Sequence, residues 1–282
     1  MALNALVQIV MRNHNAFELT STAIMDLEKI SYQNKGITVI DDGSTDLSGD
    51  KLSERFPNIR LIKTGRYLEY CCGLNVGIRD ALAGGAEYIF LVNNDTKGFS
   101  SDYLDAVVRA FECDEKIGLI GSVVLDYNNQ MLCDGSVKYK LGVPMSTPTE
   151  GYVIRSSVFK EVGLLDERLV RYFEDLDFLI RMREAGFESL AIPAISFMHL
   201  GGGTSSKQAW IPNFYRSRNL IWFIKYYRQD WSLISKIRYW WESTDGHRRA
   251  FIFLKKRKIT KAVISINAFI IGSFVGLFFR WK

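Results

Sequence analysis

The stretch YIFLVNNDT, residues 88–96, decides the fold class. Five consecutive apolar residues are followed at once by polar ones, which predicts a buried strand that ends abruptly in a turn. In open α/β sheets, ligands bind outside the carboxyl ends of the strands. Asn93 to Asp95 are therefore predicted to lie on a ligand-binding rim.

Short apolar strands alternate with helical patterns on the N-terminal side of this stretch. Strands are predicted at residues 6–11, 36–40 and 60–63, and helical patterns up to about residue 30, at 52–56 and at 74–83. This alternation predicts an α/β domain with a mixed, mainly parallel sheet and helices on both faces. Residues 12–14 and 41–46 then share the rim with Asn93 to Asp95.

The pattern changes on the C-terminal side. Shorter strands with many turn residues follow Gly118, and a helix is predicted to begin near Glu174. Aromatic and basic residues dominate after Pro212. We predict a catalytic domain at 1–210, with a donor half at about 1–117 and an acceptor half at about 118–210, and a helical extension at 211–282.

Composition excludes several classes of protein. With 282 residues, 48% of them hydrophobic, the chain can bury one large α/β core and a smaller appendage. The net charge of +5 is too small to imply nucleic acid, and we predict none as a partner. The four cysteines show no CxxC spacing, so neither a zinc site nor a disulfide framework is predicted, and a reducing cytosol is expected.

The first group of candidate site residues is DDGSTD, residues 41–46. A carboxylate at a strand end can accept hydrogen bonds from a nucleobase or a ribose, and Gly43 lets the backbone turn close to a ligand. The alternative is an Asx-turn in which Ser44 or Asp46 caps the next helix.

Three further groups carry candidate chemistry. Asn93 and Asp95 offer oxygen ligands for Mg²⁺ or Mn²⁺, or they form a polar turn at the end of a strand. Asp175, within EDLD at 174–177, is either a general base or one of three carboxylates that the helix dipole stabilises. His199 follows an apolar strand predicted at 194–198, and it either completes a metal shell or is a structural histidine. The glycines after it, at 201–203, are predicted to close over phosphates.

The combination of these segments resembles the family 2 glycosyltransferases of the GT-A fold, over about residues 7–206. The bacterial polysaccharide branch that includes rhamnosyltransferases is most similar, on the segments GYVIRSSVFKEVGLLDE (from Gly151), YFEDLDFLIRMREAG (172–186) and HLGGGTS (199–205). Asn93 stands where the family's DxD motif usually has its first aspartate. The resemblance implies a nucleoside-diphosphate sugar as donor and inversion at the anomeric carbon.

Carried over residue by residue, the resemblance implies three kinds of role. Asp175 is the expected catalytic base. The expected metal ligands, for Mg²⁺ or Mn²⁺, are Asp95, Asn93 and His199. The expected nucleotide-sugar site contains Arg12, Asp41, Asp42, Asn75, Gly77 and Asn94, with Asp42 and Asp41 meeting the base.

The predicted function is transfer of a sugar, from dTDP-rhamnose or a UDP-sugar, to a hydroxyl of a growing cell-surface polysaccharide or a lipid-linked glycan. The alternative is a non-catalytic component that binds sugar nucleotides in a polysaccharide-assembly complex. A nucleotidyltransferase and a dehydrogenase are disfavoured, because no glycine-rich phosphate loop lies near the N-terminus and no GxGxxG follows the first strand.

The tail combines an uncharged run with basic flanks. Residues 262–279 carry no charge, and lysines and arginines flank them on both sides. The run meets the lower limit for a membrane span, but its serines, asparagine and glycines favour an interfacial or oligomer-forming helix. A helix packed on the protein's own surface is the alternative. We expect a cytoplasmic protein with peripheral contact to the inner face of the cell membrane. Association of the chain into a homo-oligomer is the other expected partnership of this tail.

Overall fold

Side chains of the central strands alternate between two apolar clusters. A computed structural model describes residues 4–140, 143–146, 151–200, 210–227, 229, 232, 234–236 and 259–278. In strand β1 (Val7–Asn13), Ile9 belongs to one buried cluster and Val10 to the other. In β4 (Tyr88–Val92), Phe90 and Leu91 divide in the same way. Both strands are therefore buried on both faces, as expected for a sheet covered by helices on its two sides.

The sheet that contains these strands has nine members in the order β3-β2-β1-β4-β10-β6-β11-β5, with β7 beside β6. Pairs within β3-β2-β1-β4 and the pair β6-β11 are parallel, whereas β10 is antiparallel to both of its neighbours. A separate hairpin joins β8 and β9. The remaining strands are β2 (Lys35–Asp41), β3 (Arg60–Lys63), β5 (Thr96–Lys97), β6 (Ile117–Leu125), β7 (Met131–Cys133), β8 (Lys138–Lys140), β9 (Val143–Ser146), β10 (Gly151–Arg155) and β11 (Glu188–His199).

Helices cover both faces of the sheet, and the predicted mixed α/β fold class is confirmed. Residues of α1 and α4 contribute to the first apolar cluster, and residues of α3, α5 and α6 to the second. The helices are α1 (Phe17–Glu28), α2 (Ser48–Arg55), α3 (Tyr70–Ala83), α4 (Tyr103–Cys113), α5 (Ser156–Val162) and α6 (Glu174–Glu184), and a 3₁₀ turn spans Glu167–Leu169.

Several element boundaries differ from the predicted ones, and helix α2 begins at Ser48 rather than at residue 52. Helix α3 begins at Tyr70 rather than at residue 74, because the short sequence YCCG gives no amphipathic start. Strand β11 begins at Glu188 rather than at residue 194. Its register against β6 shifts between Ile192 and Ser196, around Pro193, which has no N–H to donate to the ladder.

The chain forms two compact units. The first contains Met1–Glu167 and Asp175–Gly201, and the second contains Arg168–Glu174 and Gly202–Lys282. In the second unit, helix α7 (Trp210–Tyr227) packs along α8 (Ile259–Phe278). Within the described part of the chain, no helix combines the length and apolar character that crossing a membrane requires.

Candidate active site

The parallel strands bring three sequence groups to one edge of the sheet. In the order β2-β1-β4, the carboxyl ends of neighbouring parallel strands lie side by side. Asn13 at the end of β1 is in register with Asp41 at the end of β2, and Asn93 follows the end of β4. The predicted rim thus exists in the first unit.

Asp41 lies inside a buried polar network. Its Oδ1 accepts hydrogen bonds from Asn13 Nδ2 (2.9 Å) and Ser44 Oγ (2.5 Å). The same Asn13 amide donates to Ser48 Oγ (2.9 Å), and Asn13 Oδ1 accepts from Thr20 Oγ1 (2.8 Å). These bonds tie the start of α2 and the first turns of α1 to the strand ends. The predicted contact of Asp41 with a nucleobase stays a prediction.

Asp42 lies on the other side of the backbone and is fully buried. Its Oδ2 accepts from Arg12 Nε (2.7 Å), and its Oδ1 accepts from the backbone N–H of Leu68 (2.7 Å). The charge of the carboxylate is therefore compensated by the protein itself, because an arginine and a backbone donor both reach it. Arg12 and Asp42, both predicted for the nucleotide site, are brought together as an ion pair.

A cationic and aromatic layer covers this ion pair. The Arg12 guanidinium carbon lies 5.2 Å from the centroid of the Tyr67 ring, and the His14 ring centroid lies 4.4 Å from the same ring. His14 Nδ1 donates to the backbone oxygen of Asp42 (2.7 Å). Tyr67 is 41% exposed, so the layer presents a flat ring to solvent. A planar base can stack on such a surface.

At the end of β4, the partner of the carboxylate is a histidine rather than an arginine. Asp95 Oδ1 lies 3.0 Å from His199 Nε2, and both residues are buried. The antiparallel pairing of β11 with β5 causes this approach, since it puts His199 opposite Thr96, and the Leu200 N–H donates to the Asp95 carbonyl (3.0 Å). Two predicted metal ligands that are distant in sequence are thus neighbours.

The asparagines beside Asp95 have their own protein partners. Asn93 Oδ1 accepts from the Tyr70 hydroxyl (3.2 Å), and Asn94 Nδ2 donates to Thr20 Oγ1 (2.9 Å). Among the residues that the structure describes, no group of three or more His, Cys, Asp or Glu side chains could hold a metal ion. A cation at Asp95 and His199 would therefore need further ligands from its substrate.

Asn75 and Gly77 on α3 make contacts within the protein. Asn75 Nδ2 donates to the Leu165 carbonyl (2.8 Å) and to Glu167 Oε1 (3.0 Å), while its Oδ1 accepts from the Leu165 N–H (3.1 Å). A Cβ added at Gly77 would lie 2.4 Å from Val10 Cγ1, so this glycine lets α3 approach β1 closely. Their predicted place in the donor pocket stays a prediction.

Asp175 lies in the first turn of α6, where its Oδ1 accepts from the Leu176 N–H (2.9 Å), and it is half-buried. Asp177 is buried and accepts two hydrogen bonds from Arg181, at 2.9 and 2.7 Å. Arg181 also donates to the carbonyls of Val162 and Leu164. Asp177 therefore anchors α6 to the loop after α5 through Arg181.

A strained segment of the second unit leads directly into this helix. Val170, Tyr172 and Phe173 have φ values of 67°, 66° and 72°, which cost roughly 1–3 kcal/mol each for residues other than glycine. Within the second unit, Asn219 Nδ2 donates to the carbonyls of Leu169 (2.9 Å), Arg171 (2.9 Å) and Tyr172 (2.8 Å). One amide thus holds the strained backbone. The glycines at 201–203, predicted to close over phosphates, lie outside the described residues.

Comparison with known proteins gives the family. Residues 8–142 match the family model described as glycosyl transferase family 2. The chain carries a family 2 glycosyltransferase domain. This segment includes β1, β2 and β4 and hence all the rim residues except His199, and the predicted family is confirmed.

Relatives of this glycosyltransferase domain include bacterial rhamnosyltransferases. Two Mycobacterium tuberculosis proteins (strains CDC 1551 / Oshkosh and ATCC 25618 / H37Rv), each named N-acetylglucosaminyl-diphospho-decaprenol L-rhamnosyltransferase, are 26% identical over 202 residues, which cover 58% of this chain and 66% of theirs. The chain thus spans slightly less than two thirds of their length. The dTDP-rhamnosyl transferase RfbF of Shigella flexneri is 23% identical over 227 residues, covering 71% of this chain and 74% of that protein.

Solved glycosyltransferases share the fold. The mannosyltransferase PcManGT from Pyrobaculum calidifontis, in complex with GDP-Man and Mn²⁺, has a TM-score of 0.59 at 12% identity and covers 93% of this chain and 74% of its own. TarS 1-349 of S. aureus, in complex with UDP-GlcNAc, has a TM-score of 0.61 at 11% identity, with coverage of 95% and 81%. At these identities the similarity concerns the fold alone, and the predicted GT-A fold is confirmed.

Sequence reasoning missed two residues of this glycosyltransferase domain, Tyr67 and Tyr70. Tyr67 forms the exposed ring layer with His14, which the sequence had placed on the rim, and Tyr70 bonds to Asn93. Tyr67 lies in a loop without any motif. Only the three-dimensional path of that loop after β3 brings its ring over Arg12.

Proposed function

We propose that the protein is an inverting glycosyltransferase that moves a sugar, rhamnose being the first candidate, from a nucleoside-diphosphate donor to a hydroxyl of a lipid-linked glycan. The approach of His199 Nε2 to Asp95 Oδ1 (3.0 Å) at the end of β4 carries the proposal. A buried carboxylate and an imidazole on the rim of a family 2 glycosyltransferase domain suit a site for a cation-bound diphosphate. The names of the bacterial relatives supply the sugar and the class of acceptor.

The donor set at this pair fits Mg²⁺ or Mn²⁺. Carboxylate oxygen and imidazole nitrogen are both ligands for Mn²⁺, and such ions commonly take only one or two protein carboxylates and complete their shell with substrate phosphates and water. Asp95 and His199 would hold the cation, with Asn93 beside them. When bound, the cation would stabilise the negative charge that grows on the diphosphate leaving group.

The nucleotide would occupy the rim next to this pair. The Tyr67 ring offers a stacking surface, and Arg12, which is 17% exposed, adds positive charge beside it. Asp42 keeps Arg12 in place through its 2.7 Å ion pair and is thereby a positioning residue for the donor. Asn94, bonded to Thr20, fixes the turn that carries Asp95.

Asp175 would remove the proton of the acceptor hydroxyl. In an inverting reaction the acceptor oxygen attacks the anomeric carbon from the side opposite the departing diphosphate, and its proton passes to a general base. Asp175 is the residue that the family resemblance assigns to this role, and it is half-buried in the first turn of α6. We place the reaction at the inner face of the cell membrane, where a soluble donor and a lipid-linked acceptor can meet.

Donor binding and turnover test the proposal in two steps. The full chain is melted with dTDP-rhamnose, UDP-GlcNAc and GDP-mannose, each with and without Mn²⁺, and a donor that binds the native state raises the melting temperature. Release of free nucleoside diphosphate is then measured with N-acetylglucosaminyl-diphospho-polyprenol as acceptor. Binding of a donor without acceptor-dependent release would contradict the proposal and support a non-catalytic binding component.

Asp175→Asn tests the base. The substitution keeps the shape of the side chain but removes the basic lone pair, and general-base catalysis is worth roughly 10² to 10⁴ in rate. We expect turnover to fall at least about 10²-fold with near-normal donor affinity. Glu184→Gln, at the exposed end of the same helix, is the control and should leave turnover unchanged. A fully active Asp175→Asn enzyme would mean that another group is the base.

A further inference from the structure

Helix α8 presents large apolar side chains to solvent. Val263, Ile266, Ile270, Phe274 and Leu277 are between 39% and 62% exposed, and we call them the outer face of α8. At about 100° per residue, they fall within roughly 80° of arc around the helix. Contiguous exposed patches of this kind mark interaction sites on proteins.

The opposite side of α8 carries small residues that pack against α7. A Cβ added at Gly272 would lie 2.4 Å from the Phe214 carbonyl oxygen, and one at Gly276 would lie 2.6 Å from the Arg218 carbonyl oxygen. Ser265 and Ala268 on the same side are fully buried. The close approach of the two backbones requires these small residues, so α8 cannot rotate to bury its large side chains against α7.

The orientation of α8 is therefore the reverse of that in an ordinary surface helix, which turns its apolar stripe inward and its polar residues outward. Here the small residues face the protein and the large apolar residues face away from it. Exposure of the outer face to water is unfavourable, since about 25 cal/mol is lost for each Å² of apolar surface left unburied. An apolar environment that contacts the outer face of α8 would remove this unfavourable exposure.

Charge indicates what that environment is. Residues 251–282 contain seven basic residues and no acidic one, with five of the basic residues before the uncharged run and two after it. A second copy of the same helix would bring like charges together, which opposes self-association through this face. Anionic lipid headgroups complement such charges, and the boundary with the acyl chains accepts the apolar side chains.

We infer that the outer face of α8 binds an anionic membrane surface, with the helix lying in the interface. The inference goes beyond the proposed catalytic function. It requires neither donor nor turnover.

Vesicle co-sedimentation of the full chain tests the inference. Wild type is mixed, without nucleotide, with vesicles of phosphatidylcholine alone or of equal parts phosphatidylcholine and phosphatidylglycerol. We expect strong binding to the mixed vesicles only. In the double variant Ile270→Glu/Phe274→Glu, the partition coefficient should fall about 100-fold, since two large apolar side chains no longer enter the membrane.

The control is Met131→Glu/Leu132→Glu, which changes two exposed apolar side chains of β7 in the first unit and should leave binding unchanged. A milder variant, Phe274→Gln, should lose about 10-fold in binding. Substitutions are preferable to truncation, because removing α8 would uncover α7. Circular dichroism melting of each variant checks that the fold is retained.

Two outcomes would overturn the inference. Equal binding of wild type and the double variant to the mixed vesicles would exclude the outer face as the membrane contact. Dimerisation of lipid-free wild type in sedimentation velocity, lost in the double variant while vesicle binding persists, would assign the face to a second copy of the chain. Because the assay contains no donor, its failure says nothing against the glycosyltransferase function.

Discussion

The ends of β2 and β4 carry carboxylates on the same rim, yet the protein treats them differently. At β2, Asp42 is bound by the Arg12 guanidinium and the Leu68 N–H, and Asp41 by Asn13 and Ser44. At β4, the charged or titratable partner that the structure gives the Asp95 side chain is the His199 imidazole. At the β2 end, the protein itself supplies the cation that compensates the charge of Asp42. The β4 end has a carboxylate whose charge no lysine or arginine compensates among the described residues.

This difference indicates that the carboxylates of the two strand ends have different roles, one structural and one in binding a cation. A buried carboxylate that an arginine and a backbone N–H already bind contributes mainly by holding its partners in place. A buried carboxylate beside an imidazole is unfavourable alone and becomes favourable when a cation arrives. Under the proposed function, the β2 end would be a preformed support for the nucleotide, and the β4 end is where a bound cation would have its largest effect.

The largest expected effect comes from removing the charge at β4. Asp95→Ala should lower turnover at least about 10³-fold, because metal stabilisation of a leaving group supplies several kcal/mol. The rate of nucleoside diphosphate release at saturating Mn²⁺ and the Mn²⁺ affinity from calorimetric titration should both fall.

Asp102→Ala is the matched control, since Asp102 is an exposed carboxylate that makes no side-chain cap to α4. It should bind Mn²⁺ and turn over as wild type does. If activity survives both Asp95→Ala and exhaustive chelation, Asp95 has no role in the reaction. The proposed difference between the two strand ends would then be wrong.

The second prediction concerns stability at β2. Asp42→Ala leaves the Arg12 guanidinium and the Leu68 N–H without their acceptor, so the free energy of unfolding should fall by about 2–4 kcal/mol. Asp50→Ala is the control, because Asp50 pairs with Lys63 on the surface, where solvent screens the ion pair and its loss should change the free energy of unfolding little. Urea unfolding of both variants measures the difference. If the two variants have the same free energy of unfolding, the contacts of Asp42 with Arg12 and Leu68 do not stabilise the fold.

The sequence predicted the fold, but it did not predict most of this difference between the two strand ends. The apolar run before Asn93 and the alternation of strands and helices predicted the sheet and its rim, because periodicity and turn residues are local signals. The family segments predicted the GT-A fold. Local signals are weaker where strands are irregular, which is why β11 begins six residues before its predicted start, around the bulge near Pro193.

Individual site residues depend on contacts between distant segments. The sequence could nominate both Asp95 and His199, since each follows an apolar strand, but only the β11-β5 pairing brings them to 3.0 Å. Asn75 was nominated for the donor pocket, yet its amide is bonded to Leu165 and Glu167. Whether a polar side chain faces a ligand or the protein is decided by tertiary packing, which one chain's sequence does not encode locally.

The smallest expected effect tests whether Asn75 belongs with the internally satisfied groups. Its hydrogen bond to Glu167, followed by that of Arg79, lowers the pKa of the Glu167 carboxyl. Because the folded-state pKa lies below the unfolded one of about 4.3, the resulting stability is fully present above that value. It is lost as pH falls through the folded pKa. Glu167→Gln should therefore reduce stability at pH 7 and leave little difference in strong acid.

The size of this effect is limited, because the Glu167 side chain is 42% exposed and solvent screens its ion pair with Arg79. We expect less than about 1 kcal/mol at pH 7. Urea midpoints of wild type and Glu167→Gln, measured from neutral pH down to about one unit below the carboxyl pKa, should converge with acidification. The exposed Glu184→Gln should instead run parallel to wild type. A Glu167→Gln curve that also stays parallel would show that the Asn75 and Arg79 contacts do not stabilise the Glu167 carboxylate, and only the two Leu165 hydrogen bonds would then support a structural role for the Asn75 amide.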